Sequence, residues 1–188
     1  RNDLDTETAA ATEKAQKKKK KQSQTTDVSE TTPVSADDYL GLLQQQSADL
    51  PKLKRILKDP SRYPKSLLKA LSKNSEMLDF VLDYPKKHKN AAAKSIGDDF
   101  VTGEIPALIQ WDERWGYAPY GTSVVAVSGC GPTCMAMVAA GLNHDPTITP
   151  AKVAAYGTEN SYVDEENNTY WAFMQEAGAN WGLSCYSG

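Results

Sequence analysis

The chain has 188 residues, a formal net charge of −3 at neutral pH and a mean hydropathy of −0.55. This charge balance gives no reason to expect nucleic acid as a partner, and no apolar stretch reaches the ~18 residues of a membrane span. The three cysteines, Cys130, Cys134 and Cys185, are an odd number and cannot form a closed disulfide framework. They also lack the paired spacing of a zinc site, so we expect no metal and no cofactor.

Polar and small residues dominate residues 1–34, which include the run Lys17 to Lys21. Too few large apolar side chains are present to offset chain entropy, and this predicts a disordered low-complexity tether. The lysine run is compatible with contact to an anionic membrane or a cell-wall polymer. Because the sequence begins with Arg1 and not Met, we expect that an upstream signal or anchor has been removed. This favours an extracellular or surface-anchored location in a bacterium.

Four short amphipathic helical patterns follow over residues 35–85. Ser35 to Asp38 indicates the start of the first, because a capping hydroxyl precedes acids in the first turn. Tyr84-Pro85 is predicted to end the fourth, since proline disfavours the helical conformation in the residue before it. Residues 86–99 are polar and predict a linker or surface loop. We therefore predict a helical accessory region with its linker over residues 35–99.

A cysteine flanked by glycines precedes a predicted buried helix. The apolar run 124–127 leads into Gly129-Cys130-Gly131, and residues 133–142 have the pattern of a buried helix that tolerates Pro132 in its first turn. The free N–H groups and the dipole of a helix N-terminus favour an anion. A thiolate is the reactive form of cysteine, and the same N–H groups can hold the oxyanion formed when it attacks a carbonyl. We therefore interpret Cys130 as a nucleophile, with a plain buried thiol as the alternative.

Gln110 is the second candidate for this site, twenty positions before Cys130. Its amide NH2 can donate to a developing negative charge without competing for a proton. A loop and a short strand can bring the two residues together. The alternative is that Gln110 caps a backbone group, and neighbouring Trp111 and Trp115 are expected to serve packing.

The remaining features are expected to be structural. Cys134 lies one turn into the nucleophile helix and is predicted to be in the core, and Leu183 to Gly188 indicates the start of a strand carrying Cys185. Thr149 and Pro150 indicate a helix start. Thr169 to Ala177 predicts a further helix packed on the nucleophile helix, and Asp164 to Glu166 lacks the regular oxygen spacing of a calcium site.

The Gln110-Trp111-Asp112 stretch, together with GCGPTCMAM at residues 129–137, resembles family thirty-nine of the cysteine peptidases. That family comprises bacteriocin-processing peptidases and many bacterial relatives with a papain-like fold, and the resemblance covers residues 100–188. It implies that Cys130 is the nucleophile, that Gln110 is the oxyanion-hole donor, and that a His and then an Asp follow far downstream. It further implies a peptide or protein substrate and hydrolysis through an acyl-enzyme.

The chain departs from the family pattern at the base. His88 precedes Gln110 in the polar linker, and His144 follows the nucleophile helix, on the order of 20 Å from Cys130 at ~1.5 Å per residue. A base must come within about 3 Å of its nucleophile. We therefore expect the family's His and Asp beyond Gly188, a truncated α+β papain-like fold over residues 100–188, and little turnover by this chain.

Two other functions stay open. A peptidase-like module can bind a peptide without cutting it, and an acyl-transferase or amidase can use the same scaffold. A histidine on a downstream strand would favour the enzyme over the binding module. Screening of peptides, isopeptides and cell-wall fragments would separate the second alternative from peptide hydrolysis.

Overall fold

The computed structural model describes residues 38–186, so the predicted tether and the capping Ser35 lie outside the described residues. Within this range the fold is mixed and rich in helix, with one small antiparallel sheet, and this confirms the coarse prediction of a helical and β fold. The elements are α1 Tyr39–Gln46, α2 Leu53–Leu57, α3 Lys65–Lys73, α4 Leu78–Lys87, β1 Pro119–Tyr120, β2 Ser123–Val124, α5 Val125–Ser128, α6 Cys130–Asn143, α7 Pro150–Glu159 and α8 Ala172–Asn180. Short 3-10 turns cover Pro60–Arg62, Ser75–Met77 and Gly97–Asp99.

Helices α1 to α4 enclose a leucine-rich core, as their amphipathic spacing predicts. Helix α1 is capped at its N-terminus by Asp38, whose carboxylate accepts the Gly41 N–H at 2.9 Å. Tyr117 and Ala126 belong to the same core although they lie beyond the linker. The Tyr117 ring stacks on Phe80 with centroids 4.1 Å apart, and its hydroxyl donates to the Phe80 carbonyl at 2.7 Å. The domain boundary near residue 99 therefore has shared packing across it and stays a prediction.

The prediction that helix α4 ends at Tyr84-Pro85 is wrong. Pro85 lies inside the helix, which continues to Lys87, and the His88 N–H still donates to the Tyr84 carbonyl at 3.0 Å. Proline removes one intrahelical hydrogen bond, but burial of Phe80 and Val81 holds this helix in the core.

Helix α6 is the centre of a second core, which positions the candidate site. Its Met135, Ala136, Ala139 and Ala140 are buried against α7 and α8. Gly141 allows a close approach of the preceding loop, because a Cβ there would lie 2.6 Å from Ile105 Cδ1. His144 ends the helix in the left-handed conformation, with φ of 53°.

The polar segment 86–99 is irregular for much of its length, but it is anchored to the rest of the fold. Ile96 is fully buried, and its N–H donates to the Pro146 carbonyl at 2.8 Å. The Arg114 guanidinium donates to the Ile96 carbonyl at 2.7 Å and pairs with Asp99 and Asp112. The contacts of Arg114 therefore hold the predicted linker against residues 112–115.

Leu183 to Tyr186 do not form the predicted strand, and residues 187 and 188 lie outside the described range. Cys185 instead packs its sulfur beside Gly178 of α8. Within residues 38–186, no helix combines the length and the hydropathy needed to cross a bilayer.

Candidate active site

Cys130 is the first residue of α6, as predicted, and its side chain is exposed. The alternative of a buried thiol is therefore wrong. Within the described residues, neither the Cys130 N–H nor the Gly131 N–H donates a hydrogen bond to the chain, and Pro132 has no N–H. The first turn of α6 thus leaves two backbone donors open beside the sulfur, which is the arrangement that attracts an anion.

Gln110 is fixed to the turn that precedes Cys130. Its Nε2 donates to the Val125 carbonyl at 2.8 Å, and the same carbonyl accepts the Gly129 N–H at 2.8 Å. The predicted alternative, a backbone cap, is thus present, but an amide NH2 carries a second proton for another acceptor. Gln110 and Cys130 line one pocket of about 350 Å³, together with Trp111, Thr133 and Met137.

A second and larger pocket, of about 530 Å³, also opens at Cys130. Val127 and Ser128 form one wall, and the residues from Glu166 to Trp171 with Met174 form the other. The further helix packs on the nucleophile helix, as predicted, but Trp171 is 91% exposed although the predicted range of Thr169 to Ala177 includes it. Helix α8 starts only at Ala172, and it is Phe173 that enters the core.

Thr169, which lines this pocket, takes part in a partly buried hydrogen bond. The hydroxyls of Tyr120 and Thr169 lie 2.6 Å apart, and Tyr120 is fully buried. Burial raises the pKa of Tyr120 and the nearby Cys130 charge adds to this, although the Thr169 hydrogen bond opposes it. Tyr120 therefore keeps its proton at neutral pH. Thr169 also lies against Gly131, where a Cβ would be 3.2 Å from Thr169 Cγ2.

The loop over residues 163–169 is held in shape by its own hydrogen bonds. Val163 pairs with Thr169 in an antiparallel bridge, and the Asp164 carboxylate accepts the Asn168 N–H at 2.7 Å. The Asn168 side chain is the main reason that the pKa of Asp164 lies below its usual value. Asn167 Oδ1 accepts the Thr122 N–H at 2.7 Å, so this wall of the pocket is preformed.

The prediction that Cys134 lies in the core is wrong, because Cys134 is exposed and lines both pockets with Cys130. Helix α6 is apolar on most of its sides, so the pattern alone cannot show which side is covered. Its exposed positions are Asn143 in the last turn and, four residues apart along one face, Cys130, Cys134, Val138 and Leu142.

The two histidines lie away from both pockets. His144 sits at the end of α6 opposite Cys130, as the sequence predicts. His88 caps α4, where its ring stacks on Tyr84 with centroids 4.5 Å apart and its Nδ1 lies 2.7 Å from the Tyr84 carbonyl oxygen. Neither histidine is among the residues that line a pocket at Cys130.

Sequence reasoning missed four residues of this site: Glu76, Tyr120, Thr169 and Trp171. Glu76 enters the Gln110 pocket from the Ser75–Met77 turn, and Tyr120 and Thr169 meet across 49 positions of sequence. Only the adjacent aromatic pair Tyr170-Trp171, within a polar stretch, offered a signal.

Within the described residues, no three His, Cys, Asp or Glu side chains are grouped to hold a metal ion. The site offers an exposed thiol, two open backbone donors and a fixed amide, which together suit nucleophilic attack on a carbonyl group. Comparisons of the chain with protein-family models, with curated proteins and with solved structures return no match.

Proposed function

We propose that this chain carries the nucleophile-bearing part of a papain-like cysteine peptidase, with Cys130 as nucleophile and Gln110 as an oxyanion donor. The observation that carries the proposal is the exposed Cys130 at the open N-terminus of α6, with the Gln110 amide on the same pocket. The resemblance of residues 100–188 to family thirty-nine of the cysteine peptidases supports the same assignment.

The proposed reaction begins when the Cys130 thiolate adds to a peptide carbonyl carbon. The resulting oxyanion accepts hydrogen bonds from the Cys130 N–H and from the Gln110 Nε2 proton that Val125 leaves free. The intermediate then collapses to a thioester as the C–N bond breaks and the leaving amine takes a proton. Water finally attacks the thioester, which releases the acid and the thiol.

This sequence of steps needs a base near the sulfur. Neither His88 nor His144 lines the pockets at Cys130, so neither is placed to act as one. The proposal therefore takes its His and its orienting Asp from beyond residue 188, as the resemblance implies. We expect little peptide hydrolysis by the 188-residue chain.

The proposed substrate is a peptide or a protein. The proposed location is outside a bacterial cell or on its surface, with the lysine-bearing segment upstream close to the membrane or the cell wall. Both rest on the resemblance and on the composition of residues 1–34.

Labelling with iodoacetamide tests the nucleophile, because the chain provides its own controls. Cys130 and Cys134 are both exposed on one face of α6, but only Cys130 lies in the first turn. We expect Cys130 to be alkylated at least about tenfold faster than Cys134 and Cys185, because only Cys130 lies beside the open N–H groups of the first turn of α6. Peptide mapping by mass spectrometry gives the three rates, and Cys130→Ala should remove the fast phase while Cys134→Ala keeps it.

Equal rates at Cys130 and Cys134 would contradict the proposal. Peptide hydrolysis that His88→Ala abolishes would show that the base is misassigned. A peptide that binds at the pocket and never acylates Cys130 would favour the binding module.

A further inference from the structure

We infer that the 530 Å³ pocket beside Cys130 binds a bulky apolar side chain of the substrate, preferentially an aromatic one. This inference rests on the proposed function, because it assigns the pocket to the substrate that Cys130 attacks. The preference for an aromatic side chain comes from the lining of the pocket and not from Cys130 or Gln110.

One wall of the pocket is aromatic and exposed to solvent. Trp171 is 91% exposed and Tyr170 is 50% exposed, and both line the pocket with Met174. Large apolar side chains left in water beside a nucleophile gain most when a partner covers them. An aromatic partner gains further, because rings pack favourably against tryptophan and against methionine sulfur.

The polar groups of the pocket argue against a carbohydrate. Asn167 Oδ1 already accepts from Thr122, and Asn168 Nδ2 donates to Asp164 at 3.0 Å. The Thr169 hydroxyl is paired with Tyr120. The hydroxyls of a sugar would lose water here and meet three side chains that are already hydrogen-bonded, so this loss would be only partly offset.

The charge and the volume of the pocket further limit which substrate side chain it can bind. Glu166 is the only Asp, Glu, Lys or Arg in the pocket lining, and its carboxylate disfavours an acidic substrate side chain. The volume lies within the usual range of small-ligand pockets and exceeds what an alanine side chain can fill. Because the wall is braced by Asn167 and Thr169, the pocket does not have to form on binding.

Peptidyl chloromethyl ketones test this inference without a catalytic base in the chain. The Cys130 sulfur displaces chloride and forms a thioether, so the adduct is counted by intact mass. The probe set carries Phe, Ala or Glu at either of the two positions next to the reactive ketone. We expect Phe to react at least about tenfold faster than Ala at one of these positions, and Glu to react no faster than Ala.

Trp171→Ala should reduce the preference for Phe over Ala at least about fivefold. Because Trp171 contributes almost nothing to the core, this variant should fold normally. Tyr186→Ala is the matched control, since Tyr186 is 89% exposed but does not line the pocket. It should keep the full preference.

The outcomes separate this inference from the proposed function. Failure of Cys130 to react selectively with iodoacetamide would overturn the proposed function. Selective reaction of Cys130 with equal rates for Phe and Ala probes, or a preference that survives Trp171→Ala, would overturn the inference alone. Protection of Cys130 by cell-wall glycan fragments, without a preference for Phe, would assign the pocket to sugars instead.

Discussion

Gln110 has its amide position set by a single backbone carbonyl. The Val125 oxygen accepts both the Gln110 Nε2 proton and the Gly129 N–H, each at 2.8 Å. The Val125 carbonyl therefore ties the amide to the turn that precedes the nucleophile, and the second amide proton stays free for a developing oxyanion. Donation to the oxyanion and support of the Val125 turn are two different roles for Gln110, and a loss of activity alone would not distinguish them.

We predict that Gln110→Ala slows acylation of Cys130 by an activated ester on the order of 100-fold, the usual effect of losing one oxyanion donor. Alkylation by iodoacetamide forms no oxyanion, so its rate should not change. Stopped-flow release of nitrophenolate measures the first reaction, and mass spectrometry measures the second. Gln110→Glu, similar in shape but unable to donate when ionised, should slow acylation at least as much.

A parallel loss in both reactions would give Gln110 a different role. In that case it would act by holding the Val125 turn and not by binding an oxyanion.

The start of helix α7 is set by one side chain. Thr149 is buried, and its Oγ1 accepts the Lys152 N–H at 3.2 Å, while Pro150 takes the first helical position. Helix α7 packs directly on α6, so its N-terminus also fixes the support of the nucleophile helix.

We predict that Thr149→Ala lowers the free energy of unfolding by about 1 kcal/mol, since it removes the side-chain cap. Thr149→Ser keeps the cap and should lose less than half as much. Urea unfolding followed by circular dichroism measures both variants. Equal losses in the two would mean that the Thr149 methyl group, and not its hydroxyl, is what stabilises the helix.

The positions of the helices were largely predictable from the sequence, but the side that each helix exposes to solvent was not. Apolar spacing predicted α3 and α6, and the Thr149-Pro150 pair predicted the start of α7. The same reasoning placed Cys134 in the core, because a helix that is apolar all round gives no period from which to tell its covered side. The predicted helix that includes Trp171 begins at Thr169, whereas α8 begins three residues later at Ala172. Trp171 therefore lies outside the helix.

The candidate site was predictable where it is local in sequence. The Gly129-Cys130-Gly131 unit predicted an accessible helix N-terminus, and the structure has one there. The contact of Tyr120 with Thr169 joins a hairpin to a distant loop and leaves no pattern in either segment. The pocket that those two residues support was therefore invisible before the fold was known.

At the scale of the whole molecule, Arg114 connects segments that are far apart in sequence. It donates to the Ile96 carbonyl, pairs with Asp99 and Asp112, and lies over the Trp115 ring at 4.4 Å from its centroid. Burial alone would raise the pKa of Asp112, but the hydrogen bonds and the charge of Arg114 hold it below the usual value.

This arrangement predicts an acid-sensitive contribution to stability. Because the folded pKa of Asp112 is lowered, its contribution is present above the unfolded pKa of about 4 and is lost as pH falls below that value. Arg114→Ala should therefore destabilise the fold more at pH 7 than at pH 3. Urea unfolding at the two pH values measures the difference.

The exposed pair of Lys52 and Asp79 is the control, with side chains 59% and 75% exposed. Lys52→Ala should change stability by less than about 1 kcal/mol at either pH, since such surface pairs contribute little. A loss in Arg114→Ala that is the same at pH 3 and pH 7 would assign its role to packing and to the Ile96 hydrogen bond.

The contact between Gly131 and Thr169 limits which residue can stand beside the sulfur. Because no methyl group stands at position 131, the far wall of the pocket reaches the first turn of α6, and a Cβ would leave only 3.2 Å to Thr169. A side chain at position 131 would have to push Thr169 away from the turn that carries the sulfur. Gly131→Ala should therefore disturb the pocket wall, although it leaves the thiol itself in place.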